Sequence, residues 1–459
     1  MLEKFFKLKE NKTTVKTEVI AGITTFMTMA YILAVNPSTM TANGTIEGLN
    51  PDGVFMATAI GAFIGTILMA LLANYPFALA PGMGLNAYFS YTVVLGMGVD
   101  WRIALLAVFV EGIIFILLSL TNVREAIFNA IPMCLKAAVS VGIGLFIAFI
   151  GLQNAKLVVP NSATLVDLTS FKENFSTSGI TALLALIGIL ITAFLLIKKV
   201  KGGILFGILI TWILGIICQL TGIYKINADA GFYSLLPDFS QGLRLSGLGD
   251  TFGQVFKADF SGVNIIDFIV VIFAFLFVDI FDTLGTLIGV ATKADMLDKD
   301  GKLPRIKGAL LADAVGTTAG AVLGTSTVTT FVESATGVSE GGRTGLTALT
   351  TGFLFLAAIL FSPIFLAIPS FATAPALVMV GFYMIGNVVK IDFDNMLEAI
   401  PAFLTIIAMP FTYSISEGIA IGIISYTILC LVTGKAKERK LSLLMYILTL
   451  LFIANYIFL

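Results

Sequence analysis

The stretch FIVVIFAFLFVDIFDTLGTLIGV, residues 268–290, is apolar from end to end except for Asp279, Asp282 and two threonines. It is long enough to cross a bilayer, because about 20 apolar helical residues span a hydrocarbon core of about 30 Å. A carboxylate near the centre of such a helix costs about 2.5–3.5 kcal/mol on insertion scales. Two carboxylates in one span therefore predict a functional site inside the membrane.

The whole chain has the composition of a membrane protein. Of its 459 residues 58% are hydrophobic and 12% are charged, with a mean hydropathy of +1.01, whereas soluble domains have about 45–50% apolar and about 25% charged residues. The chain contains no histidine, which removes the usual zinc ligand and the usual proton shuttle. Cys134, Cys218 and Cys430 lack metal-like spacing and are interpreted as packing residues. We expect no cofactor and no metal.

Apolar runs of spanning length recur along the chain. We predict fourteen spans, at 18–40, 52–73, 78–96, 102–121, 134–152, 179–197, 203–224, 264–290, 307–324, 326–340, 344–363, 371–389, 397–412 and 415–433. The final apolar run, 441–459, is either a further span or a helix lying in the interface. Residues 1–17 are lysine-rich and lack the features of a cleavable signal peptide, so we expect a cytosolic segment.

The distribution of basic residues supports this span map. With the N-terminus inside the cell, 21 of the 27 lysines and arginines fall in inner segments and 6 in outer ones. Short cytoplasmic loops carry such an excess of positive charge. We therefore predict a multi-pass protein of the cell membrane with a cytoplasmic N-terminus.

The long outer loop 225–263 separates seven spans from seven. An odd number of spans per half gives the halves opposite orientations, so we predict an inverted repeat. The third span of each half is short and broken, at 74–94 and 325–342. Each begins with an extended stretch and continues as a short helix, and two such strands could satisfy each other's backbone groups near the midplane. Broken spans at corresponding positions indicate a transporter's binding site.

Polar side chains cluster on these segments. Asp279, Asp282 and Thr286 are spaced to share one face of the eighth helix. Glu333 begins the second half-helix, and Asn86 lies in the first, where it offers a donor and an acceptor. Two carboxylates, an amide and free helix N–H groups suit a flat, uncharged molecule with both N–H donors and carbonyl or ring-nitrogen acceptors. A nucleobase is such a molecule.

Other polar positions have structural interpretations. Asp279 either serves the site or pairs with another helix, and Glu111, a lone acid in the fourth span, is equally open. Asp313 is interpreted as a hydrogen-bond acceptor that holds the ninth helix, and Glu417 as an interfacial residue. The glycine row 316, 320 and 324 is explained by close helix packing.

Four motifs resemble a known family. They are GITTFMTMAYILAVNP (22–37), ALAPGMGLNAYF (78–89), FVDIFDTLGTL (277–287) and TTFVESATGVSEGGRTGLTAL (329–349). The chain is similar to the AzgA-like purine permeases, which are adenine/guanine/hypoxanthine–proton symporters within the nucleobase–ascorbate transporter superfamily. The resemblance covers nearly the whole chain.

The resemblance implies an all-α, uracil-permease-like fold of fourteen segments in a 7+7 inverted repeat, with short midplane strands in spans 3 and 10. It also implies elevator-like transport by a homodimer, in which a core domain moves past a gate domain. The implied divisions are a cytosolic segment (1–17), core (18–121), gate (122–263), core (264–366), gate (367–433) and a C-terminal basic segment with an apolar helix (434–459).

The resemblance also implies roles for individual residues. FDT places Asp282, and TFVES places Glu333, at the two substrate carboxylates of the superfamily, and GLNAYF places Asn86 at the polar residue of the third span. Ser334 and Gly84, in the same motifs, complete the candidate binding set together with Thr286.

Thr286 stands where some relatives carry a histidine or an acid. We therefore expect the proton to be carried by Asp279, Asp282 or Glu333.

Alternatives within the same fold are a uracil permease and a xanthine/urate permease. A sulfate-type anion transporter would want basic residues at the site, and an intramembrane enzyme would want a catalytic motif such as HExxH or a Ser–Lys pair. Hydrophobicity alone also allows a channel. The expected partners are a purine nucleobase, a proton, the lipid bilayer and a second copy of the chain, with no nucleic acid. Adenine, guanine and hypoxanthine are not ranked by the residues, although guanine and hypoxanthine are slightly favoured.

Overall fold

The computed structural model covers the whole chain. It describes residues 2–120, 131–172, 174–227, 231–237, 247–260, 263–293, 296–297, 303–439 and 441–458. Five of the basic residues counted in the predicted charge bias lie outside the described residues: Arg124, Arg244, Lys299, Lys302 and Lys440.

In the described part of the first half, loops join helices and three short strands. Its helices are α1 (Leu2–Phe5), α2 (Val15–Met29), α3 (Ile32–Met40), α4 (Pro51–Leu68), α5 (Met83–Ala87), α6 (Trp101–Leu120), α7 (Met133–Asn154), α8 (Ile180–Ile197), α9 (Gly203–Leu220) and α10 (Leu248–Thr251). Its strands are β1 (Leu79–Pro81), β2 (Val158–Asn161) and β3 (Leu165–Leu168). Further helical turns are the π-helical segments Met69–Ala73, Tyr88–Gly96 and Phe175–Gly179 and the 3-10 turn Gln254–Lys257.

The second half has the same character. Its helices are α11 (Ile265–Lys293), α12 (Ile306–Leu323), α13 (Ser334–Ser339), α14 (Gly345–Ala357), α15 (Ser362–Leu366), α16 (Ser370–Ile385), α17 (Met396–Thr412), α18 (Ile415–Val432) and α19 (Leu443–Phe458). Its strand is β4 (Val328–Thr330), and 3-10 turns cover Ala358–Phe361 and Gly386–Lys390.

Each predicted span coincides with a helix, or with a strand followed by a short helix. Among the described residues, ten helices are long and apolar enough to cross a membrane. The membrane class of the chain is thereby confirmed, and the number of crossings stays a prediction. The final apolar run forms α19, which packs against α18 and contacts α11 through Phe452 and Phe273.

The short strands of the two broken segments pair with each other. β1 and β4 are antiparallel, with Leu79 opposite Thr330, Ala80 opposite Thr329 and Pro81 opposite Val328. Both strands lie within the two predicted broken segments, and their position at the membrane midplane stays a prediction. A second, unpredicted hairpin of β2 and β3 lies in the loop after α7.

Two threonine hydroxyls form hydrogen bonds with backbone groups on the outer edges of the β1–β4 ribbon. The Thr66 hydroxyl on α4 donates to the Leu79 carbonyl (3.0 Å) and accepts from the Leu79 N–H (2.9 Å). The Thr317 hydroxyl on α12 makes the same pair of bonds with Val328, at 3.2 and 3.1 Å. Because unpaired backbone groups are costly in an apolar interior, these hydroxyls allow a two-stranded ribbon to exist there.

Glycines let α4 and α12 approach this ribbon closely. A Cβ on Gly316 would lie 3.2 Å from the Gly65 Cα, and one on Gly320 would lie 2.9 Å from Val328. Gly324 ends α12 in the left-handed region, with φ of 105°. The glycine row is therefore a packing feature, as the sequence indicated.

The helices form two groups that pack mainly among themselves. In one group α12 packs against α4 and α6, and α14 packs against α2 and α4. In the other group α16 packs against α7, α8 and α9, and α17 packs against α7 and α18. The broken segments belong to the first group, and contacts between the groups are sparser.

The start of α14 is capped by a carboxylate from α2. Glu18 is fully buried, and its two oxygens accept from the backbone N–H groups of Arg343, Thr344 and Thr347 and from both threonine hydroxyls, at 2.6–3.2 Å. A helix N-terminus presents unpaired N–H donors and partial positive charge, which a carboxylate satisfies. Glu18 was not singled out in the sequence.

Candidate functional site

The candidate site is built around the crossing of β1 and β4. The Gly82 N–H donates to the Thr327 carbonyl (2.9 Å), and the Phe331 N–H donates to the Ala78 carbonyl (3.0 Å). Each bond joins the residue after one strand to the residue before the other strand. The half-helices α5 and α13 begin immediately beyond these bonds, so the crossing sets where both of them start.

Two of the predicted binding residues tie each half-helix to the opposite broken segment. The Asn86 amide oxygen on α5 accepts a hydrogen bond from the Ser326 hydroxyl, which precedes β4. The Ser334 hydroxyl on α13 accepts from the Ala78 N–H, which precedes β1, at 3.0 Å. Both side chains are fully buried. Asn86 and Ser334 therefore hold the crossing together, whatever further contact they make with a ligand.

Asp282 faces the crossing from α11. One carboxylate oxygen lies 3.4 Å from the Thr329 hydroxyl in β4, and the side chain is half-buried. Gly82 lies beside it, because a Cβ on Gly82 would be in ordinary contact with the same carboxylate oxygen at 3.6 Å and in tight contact with the Thr329 hydroxyl at 3.1 Å. The Asp282 carboxylate therefore faces the backbone at the start of α5.

Glu333 lies on the other side, immediately before α13. Its Oε1 accepts a hydrogen bond from the Tyr31 hydroxyl at 2.9 Å, and the residue is half-buried. Asp282 is close enough to interact electrostatically with Glu333 and Tyr31. Tyr383, on α16 of the second helix group, interacts electrostatically with Glu333 as well. The structure thus brings together the two carboxylates that the sequence singled out.

Asp279 points to a different neighbour. The fully buried Thr283 hydroxyl lies 3.1 Å from an oxygen of Asp279 and 2.9 Å from an oxygen of Asp313 on α12. Asp313 thus links α12 to α11, as the sequence indicated, and Asp279 takes part in the same link. Glu111 is also fully buried, on α6, which packs against both α11 and α12.

The last two predicted site residues lie at the margins. Thr286 is half-buried on α11, one turn beyond Asp282. Gly84 faces away from the carboxylates, because a Cβ there would lie 2.7 Å from Ile143 on α7. Gly84 therefore allows close contact between α5 and a helix of the second group.

Several residues of the site escaped sequence reasoning. Tyr31 and Thr329 contact the two carboxylates, and Thr66 and Thr317 satisfy the ribbon. A usable signal existed for the last pair, since each threonine follows a glycine in the second span of its half, as Gly65–Thr66 and Gly316–Thr317. Tyr31 lies in the motif TMAY, which gave no indication of its partner.

The site can accept hydrogen bonds from a bound molecule at two carboxylates. The buried Tyr31 and the exposed Tyr383 lie beside Glu333, and the site lies where the two helix groups meet. Among the described residues no cluster of three or more acids, cysteines or histidines suits a metal ion. The arrangement fits a small polar molecule held between helices.

The fold is that of a polytopic membrane transporter. The structure matches the transmembrane domain of a cyanobacterial bicarbonate transporter, BicA, with a TM-score of 0.59 and 17% identity, covering 88% of this chain and 97% of that one. The chain belongs to the Permease family, which it matches over residues 16–421. It is therefore a transporter and not an enzyme.

Some relatives that match nearly the whole chain have more specific names than the family. A putative permease of Methanocaldococcus jannaschii is 47% identical over 100% of this chain and 98% of its own length. The guanine/hypoxanthine permease PbuO of Bacillus subtilis is 46% identical over 94% of this chain and 95% of its own. The adenine permease AdeP of Escherichia coli is 40% identical over 100% and 96%.

Proposed function

We propose that this permease imports purine nucleobases, with guanine and hypoxanthine as main substrates and adenine as a further one. The observation that carries the proposal is the pair Asp282 and Glu333 at the β1–β4 crossing, with Asp282 beside Thr329 of β4 and Glu333 bonded to Tyr31 at the start of α13. The names of the Bacillus and Escherichia relatives support the substrate class.

Recognition follows from the chemistry of a purine edge. Ring and exocyclic N–H groups donate to Asp282 and Glu333, and such charge-assisted bonds are stronger than neutral ones. A ring nitrogen or carbonyl accepts from Asn86 or from N–H groups at the start of α5. A site built to bond both kinds of group rejects molecules that leave its buried polar atoms unpaired.

The proposed topology is fourteen spans in a 7+7 inverted repeat, with the β1–β4 ribbon at the midplane and the N-terminus in the cytoplasm. The arrangement around the ribbon supports the repeat. Thr66 on the second span of the first half and Thr317 on the second span of the second half make matching pairs of bonds. Two matched threonines seven spans apart are expected if a pseudo-two-fold axis passes through the ribbon.

The proposed motion is an elevator movement of a core past a gate that forms the homodimer. The first helix group corresponds to the core divisions 18–121 and 264–366, and the second to the gate divisions 122–263 and 367–433. Sparse contacts between the groups support this division. Lys201, after α8, also makes an ion pair with Glu340 after α13 at 2.6 Å, and this link must break if the groups slide.

The proposed driving force is a proton carried by Asp279, Asp282 or Glu333. Moving ionised carboxylates through an apolar environment is costly, and taking up a proton lowers that cost. Asp282 and Glu333 lie where substrate and proton would meet. Asp279 and Asp313 both lie within hydrogen-bond distance of the Thr283 hydroxyl, so a proton on Asp279 would be bound away from the two proposed substrate carboxylates.

The test is uptake of labelled hypoxanthine into proteoliposomes under an imposed inward proton gradient. We expect uptake that saturates, that stops with a protonophore, and that unlabelled guanine inhibits strongly, adenine less and uracil not at all. Competition by uracil alone would favour the uracil-permease alternative. Gradient-independent uptake that a protonophore leaves unchanged would exclude proton coupling.

A further inference from the structure

Helix α2 and the two residues after it run antiparallel to α13, and three successive contacts join the two segments. A Cβ on Gly337 would collide with the Thr25 hydroxyl, so these helices touch there. Thr28 and Thr336 share a hydroxyl–hydroxyl bond of 3.0 Å. Tyr31 then reaches Glu333 at 2.9 Å. The first two contacts join helix to helix, whereas the third ends on a carboxylate of the candidate site.

We propose that Tyr31 is a positioning residue for substrate recognition, holding the Glu333 carboxylate in the orientation that binds the substrate. This inference rests on the purine-transport proposal above. Tyr31 is 1% exposed and lies between α2 and α3. Its hydroxyl donates a hydrogen bond to Oε1 of Glu333. With Oε1 engaged in this way, the plane of the carboxylate is set and Oε2 can accept an N–H from a bound nucleobase.

The physical need for such a residue lies in the position of Glu333. A glutamate side chain has several rotatable bonds, and ordering it on binding costs free energy. Glu333 stands at the entry to a helix of only six residues, and its carboxylate is held by its own backbone N–H and by the hydroxyl of Tyr31, which comes from another element. A packed tyrosine has few rotatable bonds and supplies its donor already ordered.

The neighbouring contact provides the matched control. Thr28→Val removes the hydroxyl that meets Thr336 but leaves Tyr31 and Glu333 in place. If the tyrosine only strengthens the packing of α13, Tyr31→Phe and Thr28→Val should behave alike. If it positions the carboxylate, only Tyr31→Phe should weaken the binding of the substrate.

The experiment measures KM and Vmax for hypoxanthine uptake, and Kd for hypoxanthine in detergent, for the full chain and both variants. For Tyr31→Phe we expect KM and Kd to rise about tenfold, the order of one lost bond to a charged group. Vmax per folded transporter should stay within about twofold, since the phenol does not span the two helix groups. For Thr28→Val all three constants should stay close to those of the original chain.

Three outcomes would overturn the inference. They are an unchanged Kd in Tyr31→Phe, an equal loss in both variants, and a fall in Vmax with KM unchanged. If Tyr31→Phe fails to fold, Tyr31→Met, which also cannot donate a hydrogen bond to Glu333, takes its place; it should bind hypoxanthine more weakly than the original chain, and equal binding would overturn the inference. Failure of the original chain to bind any purine would instead reject the transport proposal on which the inference rests.

Discussion

Glu18 and Glu333 are two glutamates packed between the first span and the segments of spans ten and eleven, yet their surroundings differ. Glu18 is fully buried and accepts from three backbone N–H groups and two hydroxyls. Glu333 is half-buried and, among the hydrogen bonds of the described residues, receives one side-chain donor, Tyr31. A carboxylate whose acceptor capacity is filled by the fold is structural, whereas the proposed binding role of Glu333 requires capacity that the fold leaves for a ligand.

The largest effect is expected from Glu333→Gln. The amide keeps the shape of the side chain but presents a neutral group to the substrate N–H and to Tyr31. We expect hypoxanthine binding to weaken by about a hundredfold or more, because the substrate N–H loses its bond to a charged carboxylate. The new NH₂ group is itself a donor and would face the donors of Tyr31 and the substrate. Thermal stability in detergent should change little, as measured by a fluorescence unfolding assay. Unchanged affinity would remove Glu333 from the site.

Asp282→Asn tests whether the second acid shares that role or has another one. A neutral amide cannot carry a proton, so uptake driven by a proton gradient should be lost in proteoliposomes. Counterflow exchange of labelled for unlabelled hypoxanthine separates the two roles, since exchange requires binding and movement but no net proton transfer. Gradient-driven uptake that persists in this variant would assign the proton to Asp279 or Glu333.

Glu18→Gln should show the opposite profile. Replacing a carboxylate surrounded by five donors leaves some of them unsatisfied, at about 1–3 kcal/mol for each buried group. We expect a clear drop in the unfolding temperature and in expression, while the folded fraction binds hypoxanthine with normal affinity. A fully stable variant with weakened binding would contradict the distinction between the two glutamates.

The smallest effects are expected from Thr66→Val and Thr317→Val. Each removes one hydroxyl and leaves a backbone N–H and carbonyl of the ribbon unpaired, so each should destabilise the protein by about 1–3 kcal/mol. Because the two threonines make matching bonds, the two variants should lose similar amounts in the same unfolding assay. A large loss for one and none for the other would argue against equivalent roles in the two halves.

The sequence and the structure agree where the signal is local. Hydropathy located the spans, and the prolines, glycines and threonines of 74–94 and 325–342 located β1 and β4. An acid in an apolar helix is conspicuous without any partner, so Asp282 and Glu333 were accessible from the sequence. Glu18 was not, because it lies near the start of a span where an acid is ordinary.

The pairing of side chains across the chain was not accessible. Asp279 and Asp282 are three residues apart and were expected to share a face, but one meets Thr283 and Asp313 while the other meets Thr329. Gly84 lies in the same motif as Asn86, yet it packs against Ile143. Helical spacing predicts direction only to about a quarter-turn, which does not identify the neighbour.

The sequence by itself determined the membrane class, the positions of the apolar helices and the two broken segments, and it singled out Asp282 and Glu333 as candidates. These properties follow from hydrophobicity and backbone chemistry within some twenty residues. Only the tertiary structure decided which groups satisfy the ribbon, which glutamate is already saturated, and that Tyr31 reaches Glu333. The bonds of the two glutamates join residues about 300 positions apart, 302 for Tyr31 and Glu333, and the threonine bonds to the ribbon join a helix to a strand 11 or 13 residues further along. In both cases only the packing of the elements brings the partners together.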